Sequence, residues 1–560
     1  MSSLKEKVID NFSDMAVVEN FRISAEGMLT KRDGFSLLTE FEDFIRGYCY
    51  AGGDKMYVVA GSEFYCVWYG EALCLGELTD SVFEDEETCV MYMFAGIVYI
   101  VGGGAFYCYD TNDEFAVLKN CAYAPIYVSK HDDYPEEKLN NITSRVREVN
   151  EIQETSFSHI IRNTPTEIDH PIVDGVQLLP SQYTIEQDNS LTTIRITDKS
   201  VITDGYFSVE YALNSKLFSP EKERYRACKS AYVYEGKSGV RVLLYNSNEG
   251  AIFYSEPNKY GTNIGDYFPR ENVLVAPNFE KIRSIVKYGE ETLVFTDATI
   301  YTLSEYTRTS GEEVIFRGFG LAQLKKNLGI GEHSGVAEYG SSIYFINSSG
   351  LHSITYNPIE SKYTYRLMNI PDNVGIPKSD YQNVRVHTDL INNEIWCQNG
   401  NVFAVYSFTS KRWYRFSGFN PTKLFAYNNN SAFAEANKIC VFKVGEKLDC
   451  GKGFEAYVET RNLDLGNIFA EKTIFGFGAS FERCEGAALE CTLKSDKGSS
   501  FTFTVKADDD NSDTTPVVKR THARLSNCYY VICRISSPPN AAPTNLRSIL
   551  ISYKVMGENE

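Results

Sequence analysis

The residue types that carry chemistry are all present in this sequence, but not at the spacings that chemistry needs. The seven histidines, His131, His159, His170, His333, His352, His387 and His522, stand apart from one another. With no HExxH pattern and no Cys-x-x-Cys pair, nothing sets up a tetrahedral zinc site. Each histidine is therefore expected to be a satisfied or solvent-facing side chain, His352 within a strand. No G-x-S-x-G elbow presents a nucleophile and no GxxxxGK[ST] loop cradles phosphate. The run GGGAFY at Gly102 to Tyr107 lies between two strands and lacks the helix an anion site would use, so it reads as a hairpin turn. Glycoside hydrolysis needs only two facing carboxylates. With 74 acidic residues, spacing alone does not exclude such a pair. KSDKGSSF at Lys494 to Phe501 is a loose, single echo of the sialidase aspartate-box turn, without its Ser-x-Asp spacing or its Trp. ADDDNSDTT at Ala507 to Thr515 lacks the Gly and closing Glu of an EF-hand loop and reads as a solvated loop. No catalytic, cofactor-binding or metal-binding residue is assigned on this basis. The chain is expected not to be an enzyme and to need no cofactor.

The elements around these residues repeat. An alternating apolar strand, a turn rich in Gly, Asn, Asp or Ser, and a second alternating strand recur as KMYVVAGSEFYCV, GIVYIVGGGAFYCY, VRVLLYNSNEGAIFYSE, ETLVFTDATIYTL, SSIYFINSSGLHSI, NEIWCQNGNVFAVYS and SAFAEANKICVFKV. Alternation around such turns predicts hairpins. Their second strands are marked by Phe64, Phe106, Ile252, Ile300, Leu351, Val402 and Ile439. Successive markers lie about 40 to 50 residues apart, one four-stranded propeller blade each. The exception is the gap from Phe106 to Ile252, which leaves room for an inserted domain. Seven blades follow, with six or eight as the alternatives.

Within that gap, VDGVQLLPSQYTIEQ, SLTTIRITD and GYFSVEYAL read as three strands between turns at Asp174-Gly175, Asp188-Asn189 and Asp204-Gly205. They predict a small β-sandwich. PEEKLNNITSRVREVNEIQ has Leu139, Ile142, Val146 and Val149 at helical spacing and reads equally as a helix or an extended linker. After Gly451 longer strands predict a closing β-sandwich. The expected organisation is an N-terminal arm and leading strand (1–43), a first group of blades (44–125), an inserted β-domain (126–225), a second group of blades (226–451) and a C-terminal β-sandwich (452–560). The fold class expected is all-β.

Composition agrees with an ordered chain. Apolar residues make up 43% of 560 residues and aromatics 13%, ample for several cores. No apolar run approaches the ~20 residues that cross a bilayer, and the start MSSLKEKVIDNFSD lacks a signal-peptide core. Synthesis and retention on the cytosolic side, with the 14 cysteines mostly reduced core residues, are the corresponding expectations. The net charge of −19 argues against binding nucleic acid through its phosphates. It is compatible with an acidic wall past which DNA slides.

Three stretches together resemble the bacteriophage tail nozzle and head-to-tail hub, or packaged-DNA stabilisation, proteins. NFRISAEGMLTKRDGFSLL is similar to their opening, with Gly27, Arg32 and Gly34, and with Asp33 where proline is common. AIFYSEPNKYGTNIGDYFPRENVLVAP and the two hairpins after it resemble their central propeller, through Ser255, Pro257, Phe268, Pro269, Ile300-Tyr301 and Gly350. RNLDLG and the passage from KTIFGFGASFE to SYKV resemble their closing sandwich, and NNIT, VDGVQL and GYFSVEYAL an insertion found in some members. The resemblance implies a homo-oligomeric ring of six copies in a virion tail, assembled in the host bacterial cytoplasm. Its implied partners are a portal or head-to-tail adaptor, tail fibres or a needle, and genomic DNA as a passenger not read by sequence. A carbohydrate-binding or carbohydrate-cleaving propeller acting in receptor recognition is the alternative.

Overall fold

A computed structural model describes residues 4–556 except 11, 13–14, 121, 154–155, 162–163, 189, 204, 215–221, 238, 258–260, 263, 311–312, 334, 483–485, 507–516 and 542–544. The loop reading of Ala507 to Thr515 therefore lies outside the described residues. The fold is an all-β, seven-bladed β-propeller with an inserted and a C-terminal β-sandwich. The chain divides into two compact units, residues 42–329 in one, and 1–41 with 330–560 in the other. Among the described residues no helix is long and apolar enough to cross a membrane.

The unit of residues 42–329 holds blades 1 to 4. Blade 1 is Ile45–Gly52, Lys55–Ala60, Glu63–Trp68 and Glu71–Glu77. Blade 2 has Val90–Phe94, Ile97–Gly102 and Ala105–Asp110, with a fourth position marked by a bridge from Cys108 to Lys119. Blades 3 and 4 run from Ser230 to Val275 and from Ile282 to Lys326. Strands with both faces covered read as continuous apolar runs, as in Tyr57 to Ala60 and Val98 to Val101, all buried. Gly103 and Gly104 take φ of 55° and 86° in the blade 2 hairpin, backbone that glycine adopts at little cost.

Between blades 2 and 3 stand two sheets, one of five strands and one of three. Ile161, Ile194 and Ile196 of the smaller sheet share a core with Val146, Phe207, Val209 and Tyr211 of the larger. This is the expected inserted sandwich. The helical spacing within PEEKLNNITSRVREVNEIQ makes no helix, however. Arg145–Glu151 is a strand paired antiparallel with Tyr206–Ala212. Ile142, Val146 and Val149 are β-branched and favour strand geometry once a partner strand is in place. On this strand Glu148 is buried, held by His159 Nε2 at 2.7 Å and by the Tyr211 hydroxyl.

The central passage of the resemblance lies against the start of the insertion. Ser255 Oγ accepts the Val242 amide at 2.8 Å, and its carbonyl accepts Arg241 Nη1 at 2.9 Å. Phe268 is buried beside Tyr225 and Phe253. Its amide donates to Asn140 Oδ1 at 3.0 Å, and its carbonyl accepts the Asn141 amide at 3.0 Å. The NNIT and aromatic-Pro segments thus satisfy each other's backbone.

The other unit holds blades 5 to 7 and the C-terminal sandwich. Blade 5 spans Val336–Tyr339 to Lys362–Met368, and blade 6 comprises Arg385–Asp389, Glu394–Asn399, Val402–Ser407 and Arg412–Ser417. Blade 7 has three strands between Lys423 and Phe442 and takes its fourth, Phe35–Glu40, from the N-terminal segment. That segment is woven further. Met15–Glu19 lies parallel to the last strand of blade 6 and antiparallel to Ala456–Thr460, so blade and sandwich share one nine-stranded sheet. Phe21–Ile23 and Leu29–Lys31 join the opposing six-stranded sheet. Phe21 and Leu29 are buried in one core with Phe416, Phe477, Leu489 and Ile549.

The opening motif marks the joints of this weave. Gly27, at φ 85°, closes the turn between the two short strands. Arg32 is fully buried, pairs bidentately with Asp449 at 2.9 and 2.6 Å, donates to Asn20 Oδ1 at 3.0 Å and lies 3.8 Å over the Phe454 ring. A Cβ at Gly34 would stand 2.2 Å from the Leu448 carbonyl oxygen, so only glycine lets the two backbones meet.

Candidate ligand-binding pocket

Blade 6 carries the polar constellation of this unit. Its first strand, Arg-Val-His-Thr-Asp from Arg385 to Asp389, places Arg385, His387 and Asp389 on one face. It pairs with the second strand so that Arg385 faces Gln398, His387 faces Trp396 and Asp389 faces Glu394. Side chains two apart in a strand share a face, so the six form three rungs on one side of the blade.

The rung at Asp389 and Glu394 is sealed. Both carboxylates are 1% exposed. Glu394 accepts Arg22 Nε at 2.8 Å, Trp396 Nε1 at 2.8 Å and the Tyr414 hydroxyl. Asp389 accepts the Ile391 and Asn392 amides at 3.0 and 3.2 Å and Asn392 Nδ2 at 2.7 Å. Burial raises the Glu394 carboxyl above its ordinary value, opposed by the Arg22 guanidinium. This facing pair of carboxylates serves the protein's own donors.

On the middle rung, Trp396 is fully buried and packs edge-on to His387 at 6.2 Å between ring centroids. His387 Nε2 is buried and has no hydrogen-bond partner, a correction to the expectation of a satisfied or solvent-facing histidine. Burial, opposed by Asp389, pushes the imidazole down to about 4. A histidine whose pKa is lower folded than unfolded favours the folded state only while neutral. Its contribution is present above the unfolded value of about 6.5 and is lost as pH falls toward about 4. Denaturation titrations should show stability declining across that window, and His387→Phe should flatten the decline.

The outer rung opens into a cavity of about 350 Å³. Arg385, Gln398, Asn399 and Gly400 come from blade 6, Asn383 from the segment before it, Asn420 to Thr422 from the connection to blade 7, and His333 from the approach to blade 5. Gln398 is buried and its amide nitrogen donates to the Gly400 and Pro421 carbonyls at 3.1 and 2.8 Å, leaving its oxygen to accept. Arg385 Nη1 donates to the Thr422 carbonyl. No residue lining the cavity is a carboxylate. The site can hold a polar ligand through amide, imidazole and guanidinium groups, and it offers no carboxylate pair for general acid-base work.

The remaining histidines fall elsewhere. His352 is buried and shares Ser349 Oγ at 2.8 Å and Asn347 Oδ1 at 3.0 Å within its own hairpin. His159 belongs to the inserted sandwich, and His170 and His522 are exposed. Among the described residues no group of three or more His, Cys, Asp or Glu side chains could hold a metal ion. The described cysteines are free thiols, most of them buried.

No protein-family model matches the chain, and no curated protein is similar to it. Solved structures similar to it include the WD40 domain of SCAP from fission yeast, with 10% identity, 73% of this chain and 98% of that one covered, and a TM-score of 0.32. An exo-β-1,3-galactanase from Phanerochaete chrysosporium is 12% identical, with 84% and 98% covered and a TM-score of 0.16. A family 43 arabinoxylan arabinofuranohydrolase from Bacillus subtilis is 10% identical, with 85% and 96% covered and a TM-score of 0.18. Likenesses at these values carry no argument about activity, and the fold stands on the blade topology. The expectation that the chain is not an enzyme is corrected all the same: it rested on a missing motif alone, and glycoside hydrolases stand among the structures similar to the chain. Two-carboxylate chemistry depends on three-dimensional juxtaposition and leaves no sequence motif, so the lack of a motif was insufficient ground for that expectation.

Proposed function

We propose that the chain is a structural subunit of a bacteriophage tail, assembling with copies of itself into a nozzle or hub ring below the portal and adaptor and around the path of the genome. The class of protein rests on the ordered resemblance. The observation that carries the assembly reading is the outer edge of blade 1. Among the described residues Glu71–Glu77 pairs only with Glu63–Trp68, which leaves a strand edge open. Trp68, Tyr69 and Leu73 there are 60%, 72% and 65% exposed. Trp68 pairs with Glu71 and Cys66 with Leu73, so Trp68 and Leu73 are diagonal neighbours on one face. An open edge bearing large apolar side chains is a liability in a protein that stays single. In a subunit it is contact surface, and its occupant in this reading is a second copy of the chain. Trp68→Glu combined with Leu73→Glu should leave folding intact and move the purified protein from oligomer to monomer in native mass spectrometry. An unchanged oligomer would remove this edge from the contact, and the absence of the chain from purified virions would overturn the tail reading.

A second reading, a propeller that recognises carbohydrate, is favoured by the polar cavity of blade 6. Its amides and guanidinium suit a polyhydroxylated ligand. An array of glycans that leaves the full chain unlabelled would set it aside.

A further inference from the structure

The cavity of blade 6 has an unusual charge for this chain. The protein carries −19 overall, yet the cavity is lined by one arginine, one histidine, four side-chain amides and no carboxylate. Arg385 forms no ion pair among the described residues. Its one hydrogen bond is to the backbone carbonyl of Thr422. A guanidinium has five N–H donors, so donors remain on Arg385 beyond this bond. By contrast, Arg22, Arg32, Arg415 and Arg534 in the same unit each meet a carboxylate.

Other arginines of this unit, Arg366, Arg412, Arg461 and Arg524, also meet no carboxylate among the described residues, but of these unneutralised guanidiniums it is Arg385 that lines the cavity. We infer that the cavity is an oxyanion-binding site for a saccharide bearing an acidic group, with Arg385 as the anion ligand. The Arg385 side chain is anchored at one end by Thr422 and presents its planar fork, which matches a carboxylate or sulfate. Gln398 is positioned on the rung beside it. With both amide hydrogens committed to backbone carbonyls, its oxygen can take only a donor, such as a sugar hydroxyl. Asn383 and Asn420 supply further amide contacts at the rim. A volume of about 350 Å³ admits a sugar ring with its acidic substituent. The inference rests on the carbohydrate reading for the body of the ligand and adds its charge. It is independent of the tail reading.

The test is calorimetric titration of the full chain with a uronic-acid oligosaccharide, a sulfated oligosaccharide, the neutral oligosaccharide of the same linkage, and inorganic sulfate. At least one acidic saccharide should bind about tenfold or more tightly than its neutral counterpart, the order expected of one charge-assisted hydrogen bond. Which acid binds tells carboxylate from sulfate. Arg385→Gln should abolish the preference, and Asn420→Asp, at an exposed position where folding is not at stake, should weaken acidic ligands alone. Equal binding of acidic and neutral saccharides, or a preference unchanged in both variants, would overturn the oxyanion site and leave the carbohydrate reading standing. Inorganic sulfate binding as tightly as the acidic saccharides would overturn the saccharide part, and no binding by any arm would overturn both.

Discussion

Arg32→Ala is expected to lower the unfolding free energy of its unit by about 3–5 kcal/mol, the cost of leaving a buried carboxylate without its partner. Arg32 is fully buried and its partner Asp449 is 8% exposed, so water cannot replace the lost guanidinium. Three further attachments go with it: the bond to Asn20 Oδ1, the bond to the Ser417 carbonyl at 3.3 Å and the stack on Phe454. Together they bind the N-terminal segment, the end of blade 6 and the connection after blade 7. Arg32→Met with Asp449→Leu should recover much of the loss, because removing both charges removes the orphan. Urea denaturation followed by near-ultraviolet circular dichroism measures all three proteins. A single substitution costing less than the double would contradict the assignment.

Trp396→Ala should be comparably severe, about 3–5 kcal/mol from the cavity left by a large side chain. The indole stands edge-on to Phe416 and Phe442, with ring centroids at 5.6 and 5.4 Å, and near Phe403 at 5.8 Å. Its Nε1 is also one of three donors to Glu394, a carboxylate at 1% exposure. Trp396→Phe keeps most of the apolar volume and removes only that donor. It should cost about 1–3 kcal/mol, so the two substitutions separate packing from satisfaction of the carboxylate. Equal losses in the two would mean that the hydrogen bond, not the ring, holds the site.

The blades were legible because both of their signals are local. Alternating apolar strands and Gly, Asn or Asp turns lie within a dozen residues of each other, and all seven marker residues stand in third strands. Trp396 likewise lies within one of these alternating strands, NEIWCQNGNVFAVYS. The weave of the N-terminal segment was not legible. Met15–Glu19, Phe21–Ile23 and Leu29–Lys31 are short, and although the last two pair with each other, the strands that tie the segment into the sheets, Ala456–Thr460 and Asn545–Val555, lie near the other end of the chain. Nothing within a local window shows which sheets such strands will join. The opening motif still pointed there, since Gly27, Arg32 and Gly34 are each required by geometry that becomes visible only once Asp449 and Leu448 are in place.

The pocket was half visible. The alternation Arg385-Val386-His387-Thr388-Asp389 puts three polar residues on one face, a pattern a buried blade strand does not need for packing. What it contains could not be read, because the cavity is completed by connections before blades 5, 6 and 7 whose approach is set by the propeller. The helical reading near Val146 failed for a related reason: periodicity was counted in one segment, while the decision lay with its partner, Tyr206–Ala212.

Electron cryomicroscopy of the purified full chain, taken to high concentration, tests most directly the claim that this propeller is a subunit of a larger tail assembly. Closed rings of identical subunits are expected, with the Trp68 and Leu73 edge of blade 1 buried in the contact between copies. Single copies at every concentration, with that edge bare, would contradict it.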